Sequence, residues 1–413
     1  MVASDSDDCS ASAADNNQLL VDDIDDEFFF LLHLCDTQRY SFRRQLHLTA
    51  RRRRDRRIPR IALQDPHSSA WVRLFTSNSD QALITFVGLD YRCFNYLNTK
   101  FKPLYDRYSP YSSTGRIRLR RVVNGVPVLR RPLSMDSRGC LGLVCSFTRT
   151  RGSLYALQLV FGLTGSVLSL FLRYGRRLLL RVLKAEPGSR IQMPSIEEIR
   201  DYQEIVWRLY PSLNGVWFVM DGLKLYLQQC GVGPIQACFY NGWQHDHYVS
   251  NIFAFAPSGL IVCCSINAPG CMHDSSVADY GKVYDKLEQQ YVVTGGKGVV
   301  DSAFSRRRHG FLIKSSQTVA TNAPRRQVLV QRDATSLRQT AEWGMRGFQG
   351  SFPRLKDRFM YEETGERMLM LLTTVHLYNF RTRYVGLNQI RSVFLPHLET
   401  NTGNEILGWN NLI

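Results

Sequence analysis

Gly215-Val216-Trp217-Phe218-Val219-Met220-Asp221-Gly222 decides the fold, together with Gly298-Val299-Val300-Asp301-Ser302-Ala303-Phe304 further along. Each holds an apolar run without alternation that closes on an aspartate. Such runs read as central strands buried on both faces, and open α/β sheets collect their functional groups at the C-terminal ends of those strands. A third acid, Glu342, lies in the helix-compatible segment Arg338-Gln339-Thr340-Ala341-Glu342. Three carboxylates at such points suit hard divalent cations and in-line phosphoryl chemistry. A strand-end aspartate also serves as a turn or helix cap, so spacing alone leaves both readings open.

Between the two runs lie Phe239-Tyr240-Asn241-Gly242-Trp243, then Asn251 and a hydrophobic hairpin, Ala268-Pro269-Gly270, and His273-Asp274-Ser275-Ser276-Val277. Taken in order with Val300-Asp301-Ser302-Ala303-Phe304, the succession resembles the nuclease domain of PIF/Harbinger-type DDE transposases, including the Harbinger transposase-derived nucleases. Ala341-Glu342 and Arg354-Leu355-Lys356-Asp357-Arg358-Phe359 resemble the final acid of that family and the basic signature after it. The likeness is specific across about residues 215–360 and continues more weakly upstream to about Ile58. It implies an α/β ribonuclease-H-like catalytic domain, a mixed five-stranded sheet with helices, preceded by an α-helical region with a helix-turn-helix. In that topology the first and fourth strands are neighbours, which brings Asp221 beside Asp301. Glu342 completes the site from a helix packed across the sheet. The resemblance makes these three residues both the catalytic and the metal-binding set, holding two Mg2+ or Mn2+ ions. The substrate it implies is double-stranded DNA, both transposon ends and target. A nuclear homo-oligomer, with a separate Myb-like DNA-binding partner protein as relatives commonly need, completes the expectation.

Composition agrees with a polyanionic partner. The chain has 52 basic and 36 acidic residues, a net charge of +16. Nine of the acids fall in residues 1–27, which contain no Lys or Arg, so residues 28–413 carry 52 basic against 27 acidic residues, or +25. A body this basic points to nucleic acid. Ten cysteines without a repeating spacing indicate free thiols in a reducing compartment. Cys263, Cys264, Cys271 and His273, or His245 with His247, offer zinc ligands by type. None forms a paired Cys-x2-Cys frame, so buried or incidental roles are expected.

The chain divides by composition into an acidic tail and basic cluster (1–57), a helical region (58–190), the nuclease domain (191–390) and a C-terminal tail (391–413). Residues 1–26 read as disordered, and Glu27–Leu32 as the start of a short helix. Arg51–Arg57 suits nuclear import or phosphate contact. Residues 66–108 read as helical, Pro103 and Tyr108–Gly115 as a linker, and 116–135 give no clear structure. Ser153–Leu172 carries no formal charge and raises a transmembrane alternative. Gln158, Gly162, Thr164, Gly165, Ser166 and Ser169 interrupt it, and a helix-turn-helix over about residues 153–183 fits better, with Thr164 or Ser166 as cap. The resemblance places such a motif ahead of the nuclease domain, and no membrane association is expected. A helical packing device is the alternative for the same residues. Ser195 and Glu198 form a capping box ahead of the strand that ends at Asp221.

Tyr248–Phe255 and Leu260–Ser265, joined by Ala256-Pro257-Ser258-Gly259, read as a hairpin. Asp274 then begins a helix whose apolar face is Val277, Tyr280, Tyr284 and Leu287; a helix N-cap is its expected role and a place at the rim of the site the alternative, and Gly222 leaves room for backbone approach beside Asp221. Arg338 and Arg346 flank Glu342 at i−4 and i+4, as phosphate contacts or surface pairs. Pro353 interrupts that helix further on. A transposase-derived DNA- or partner-binding protein without transposition is the alternative to the enzyme. The basic body predicts a steep salt dependence of DNA binding, with log K falling by about 0.9 per phosphate neutralised for each unit of log salt. Anisotropy titrations on duplex DNA check it, and a flat response would remove the nucleic-acid expectation.

Overall fold

The computed structural model describes residues 57–111, 118–123, 126–128, 132–229, 233–304, 310–315, 323–360 and 364–398. The acidic stretch, the apolar run at 27–32, residues 51–56 of the arginine cluster and residues 399–413 lie outside the described residues. The region read as helical resolves into α1 (Ala70–Thr76), α2 (Asp80–Phe86) and α3 (Tyr91–Arg107). Ser79 and Asp90 cap α2 and α3 by accepting from the backbone N–H of Ala82 and Cys93. Pro103 does not open a linker as expected; it lies inside α3. The helix continues because its buried face, Phe94, Leu97, Phe101 and Tyr105, outweighs the backbone bond that proline removes. Four short strands follow, β1 (Tyr108–Ser109), β2 (Arg118–Leu119), β3 (Arg121–Val123) and β4 (Val126–Val128), paired as two antiparallel ladders.

Next come α4 (Ser137–Arg149), α5 (Tyr155–Phe161) and α6 (Gly165–Ala185). Gly162, at φ 64°, closes α5, and α5 and α6 meet at a bend of 88°. Thr164 sits at the cap position of α6 but makes no side-chain cap bond there. Among the described residues no single helix is long and apolar enough to cross a membrane. One face of α6, including Leu168, Phe171, Leu178 and Leu183, is fully buried. Helix α7 (Ile196–Leu209) begins at the expected capping box between Ser195 and Glu198.

The sheet is built from β5 (Val216–Tyr226), then α8 (Gly233–Phe239), β6 (Tyr240–Asn241), β7 (Asp246–Phe255) and β8 (Ile261–Pro269). After them run α9 (Asp274–Tyr280), α10 (Val283–Thr294), β9 (Lys297–Val300) and β10 (Leu312–Lys314). The strand order is β10-β9-β5-β7-β6, with β8 also on β7. Pairs β5/β7, β7/β8 and β6/β7 are antiparallel, while β5/β9 and β9/β10 are parallel. The sheet is therefore mixed, with the two-residue β6 added to the five strands expected. The hairpin of β7 and β8 appears as read. The helix expected from Asp274 onward is two helices, broken at Gly281 and Lys282, the latter at φ 51°. A Cβ on Gly281 would come within 2.3 Å of Ser265, so this break is where the chain packs on β8. Tyr280, expected on the apolar face, is exposed.

Helix α11 (Arg325–Ser351) crosses the sheet, and Pro353–Lys356 then forms a 3-10 turn where the proline was expected to interrupt. Helix α12 (Thr364–Tyr384) and α13 (Gln389–Leu398) complete the fold. Helix α12 packs on α6 and along β8. Asn379 on it takes up both the N–H and the C=O of Ile261. Tyr96 and Tyr384 both donate to the buried Glu186 carboxylate. The described residues from Pro59 onward accordingly form one compact unit, with an apolar core running from the helices into the sheet.

Gly298 faces Phe218 across the β5/β9 pair, and a Cβ there would fall 2.0 Å from the Phe218 ring. Gly298→Ala should therefore destabilise the protein by about 1–3 kcal/mol through overpacking. Chemical denaturation reads this directly; an unchanged midpoint would mean the β5/β9 contact has slack.

Candidate active site

The parallel pair β5/β9 sets the site. Its last registered rung is Met220 with Val300, and Asp221 and Asp301 each follow by one residue. The two carboxylates thus leave neighbouring strands in step. Asp221 is not the end of its strand, as the sequence had implied. Strand β5 continues to Tyr226, paired with β7 as far as Tyr248. What stops beside Asp221 is the other neighbour, β9. Its loss opens one edge of β5 just where the acid stands.

Burial pushes the Asp221 carboxyl up to about 6. The Gly222 N–H, donating to Asp221 Oδ1 at 2.7 Å, opposes this, as does the charge of Arg338. Asp301 and Asp274 push it further up by repulsion.

Asp274 departs from its expected cap role and follows the alternative, a place near the acids. It does not cap α9: His273 holds the cap position and Asp274 is the first helical residue. Its carboxylate instead lies against Gly222, where an added Cβ would come within 3.1 Å of it. The room expected beside Asp221 is occupied by this acid. Burial raises its pKa, Lys224 lowers it, and Asp301 raises it again. The legible signal was the glycine: a residue without a side chain inside a strand marks a close approach.

Glu342 lies on α11, on the sheet face toward which Asp221 points. Asp221 and Phe253 are cross-strand partners, and Phe253 packs on Phe348 of α11 at 5.2 Å between ring centroids. The Glu342 carboxylate is engaged by the two flanking arginines, with Arg338 Nη2 at 2.9 Å and Arg346 Nη2 at 3.8 Å. Arg338 therefore acts on both Glu342 and Asp221. Among the described residues, no three His, Cys, Asp or Glu side chains gather into a set able to hold an ion as they stand. The cysteine–histidine sets are not such groups either, and burial pushes the Cys263 and Cys264 thiols up to about 11 and 12. The aspartates do fit a hard cation. They supply oxygen donors only, and Asp221 sits under a repulsion that a divalent charge would relieve.

The basic segment after Glu342 ties the far end of the sheet and the turn after α4 to the chain that follows α11. Arg358 clasps Asp246 with two bonds of 2.9 and 2.7 Å and donates to the Leu227 carbonyl. Arg354 donates to the Gly152 carbonyl, and Asp357 accepts from the Gly152 N–H and from Arg151.

A carboxyl whose pKa is raised on folding weakens the fold once ionised. Below about pH 4 both states are protonated and there is no penalty; as pH rises toward 6 the unfolded state releases its proton first, and stability falls. Asp221→Asn should thus stabilise the protein at pH 7 by on the order of 1–3 kcal/mol, seen as a higher melting temperature, and leave the melting temperature little changed at pH 4. Thermal melts at the two pH values check this, and a lower melting temperature at pH 7 would contradict the repulsion.

Among curated proteins and solved structures, none matches this chain. Residues 220–379, a span that contains Asp221, Asp274, Asp301 and Glu342, match the model of the family described as DDE superfamily endonuclease, which supports a transposase- or nuclease-like function for this domain.

Proposed function

We propose that the chain is a metal-dependent DNA endonuclease and transposase of the PIF/Harbinger type, with a ribonuclease-H-like catalytic domain. One observation carries the reading: Asp221 and Asp301 leave adjacent parallel strands in step, within the segment that matches the endonuclease family. The strand order, with the first strand between the second and the fourth, supports the fold assignment.

Asp221 and Asp301 would hold divalent cations, Mg2+ or Mn2+, and Glu342 would join them on exchanging its Arg338 partner for metal. Two such ions, when bound, activate water and stabilise the leaving 3′-oxygen, and the freed 3′-hydroxyl serves as nucleophile in strand transfer. Asp221, whose carboxyl burial and neighbouring acids push up, binds an ion as the carboxylate, so loading favours its ionised form. Arg338, displaced from Glu342, is placed to meet the phosphate. The basic body draws in double-stranded DNA, transposon ends and target alike. The 88° corner of α5 and α6 supports a helix-turn-helix, with Ser166, Arg173 and Arg181 as exposed residues of α6. Nuclear location, a homo-oligomer and a Myb-like partner protein belong to the same proposal.

The second reading, a transposase-derived DNA- or partner-binding protein without transposition, draws on the engagement of Glu342 by both arginines. Cleavage and Mn2+ binding, measured together, separate the two. Asp221→Asn, Asp301→Asn and Glu342→Gln should each lower Mg2+-dependent cleavage at least about a hundredfold, and combining them should add little because they act as a unit. An Asp301→Asn variant that cuts like the wild type would overturn the site. A wild type that binds DNA but neither Mn2+ nor cuts supports the second reading.

A further inference from the structure

The turn from β6 to β7 presents Trp243 with 90% of its surface exposed. An indole held open in this way presents a flat apolar face with a polar edge, the shape suited to a planar partner. The turn around it is firmly held. The Asn241 side-chain oxygen accepts from the backbone N–H of Trp243 and Gln244, both at 3.1 Å, and its amide donates to the Gly270 carbonyl at 2.9 Å. Asp246, at the far end of the turn, is the residue clasped by Arg358. Tyr240, itself partly exposed, packs against His247 with centroids 5.2 Å apart.

Register places this aromatic pair relative to the acids. Asp221 faces Phe253 on β7, and His247 lies an even number of residues away on the same strand, opposite Tyr240. Side chains alternate along a strand, so Tyr240 and His247 share the sheet face of Asp221, roughly 20 Å along β7.

We propose that Trp243, on the turn that follows Tyr240, is a stacking platform for an unpaired base of the DNA strand handled at the acids. This rests on the nuclease reading. A protein partner fits less well: specific interfaces bury about 800 Å² per side, and here one indole stands on a narrow turn. A nucleobase is the planar partner matched to a single open aromatic face, and such stacking tolerates any sequence. The charge of the body suits the phosphates on either side of that base.

The test uses the full chain in EDTA, so that cleavage does not intervene, with two probes: a blunt duplex, and the same duplex with a 3′ single-stranded overhang carrying 2-aminopurine. Trp243→Ala should weaken overhang binding about tenfold and leave blunt-duplex binding within about twofold. Trp243→Phe should restore overhang binding to within about threefold, and quenching of 2-aminopurine should follow the aromatic ring. Because Trp243 is exposed, both variants should melt with the wild type. Equal effects of Trp243→Ala on the two probes, or none, would overturn the platform while duplex binding leaves the nuclease reading intact. A wild type that binds neither probe would overturn both.

Discussion

Side-by-side placement of two aspartates on the parallel pair β5/β9 is the constraint around which the sheet is arranged. Like charges on adjacent strands oppose folding, and the surroundings oppose that cost only in part. The Gly222 N–H and the charge of Arg338 favour the Asp221 anion, while burial and the neighbouring Asp301 and Asp274 disfavour it more, so its pKa stands near 6. The apolar rungs behind the acids hold them together. Trp217, Met220, Val299 and Val300 are fully buried, and Phe218 fills the space that Gly298 leaves open. A sheet that spends packing energy to keep carboxylates in repulsion reads as a site and not as scaffold.

The arginines are less uniform than their number suggests. Arg367 and Arg381 are buried, and desolvation lowers both to about 10. Arg381 donates to the Gly88 carbonyl, Arg391 to the Thr382 carbonyl, and Arg176 to Glu366. These cations tie helices to one another and to the sheet. The net charge of the body therefore overstates the field that DNA meets, because part of it is spent inside. The basic signature after Glu342 follows the same pattern: Arg354 and Arg358 act on carbonyls and carboxylates of the protein.

Strand runs, hairpin and capping box were legible because each depends on local chemistry or on an apolar run, whereas the pairing of the strands behind Asp221 and Asp301 was implied only by the family resemblance. The end of β5 was not. Nothing local marks the point where a parallel neighbour stops while an antiparallel one continues. Pro103 inside α3 escaped because tertiary burial of Phe101 and Tyr105 overrides a local breaker. Asp274 was misjudged since the residue pattern of a helix start is the same whether the carboxylate turns back to the helix or out to Gly222. The division at about residue 190 marks a change in composition, yet α12 packs on both α6 and β8, a contact made by residues nearly two hundred positions apart.

The pairing of Glu342 with Arg338 and Arg346 bears on which functional reading stands first. All three residues are on one helix at i,i±4 spacing, and the Glu342 side chain is 37% exposed. Such pairs contribute about 0.3–0.5 kcal/mol, further weakened by salt. A hard cation competing for the same carboxylate draws on a far larger interaction, with Asp221 and Asp301 contributing charge from the neighbouring strands. The arginines therefore hold Glu342 in place without barring it from a metal. Their presence is compatible with an enzyme at rest, and a binding-only protein would gain nothing from aspartates left in mutual repulsion on β5 and β9. On that balance the nuclease reading comes first.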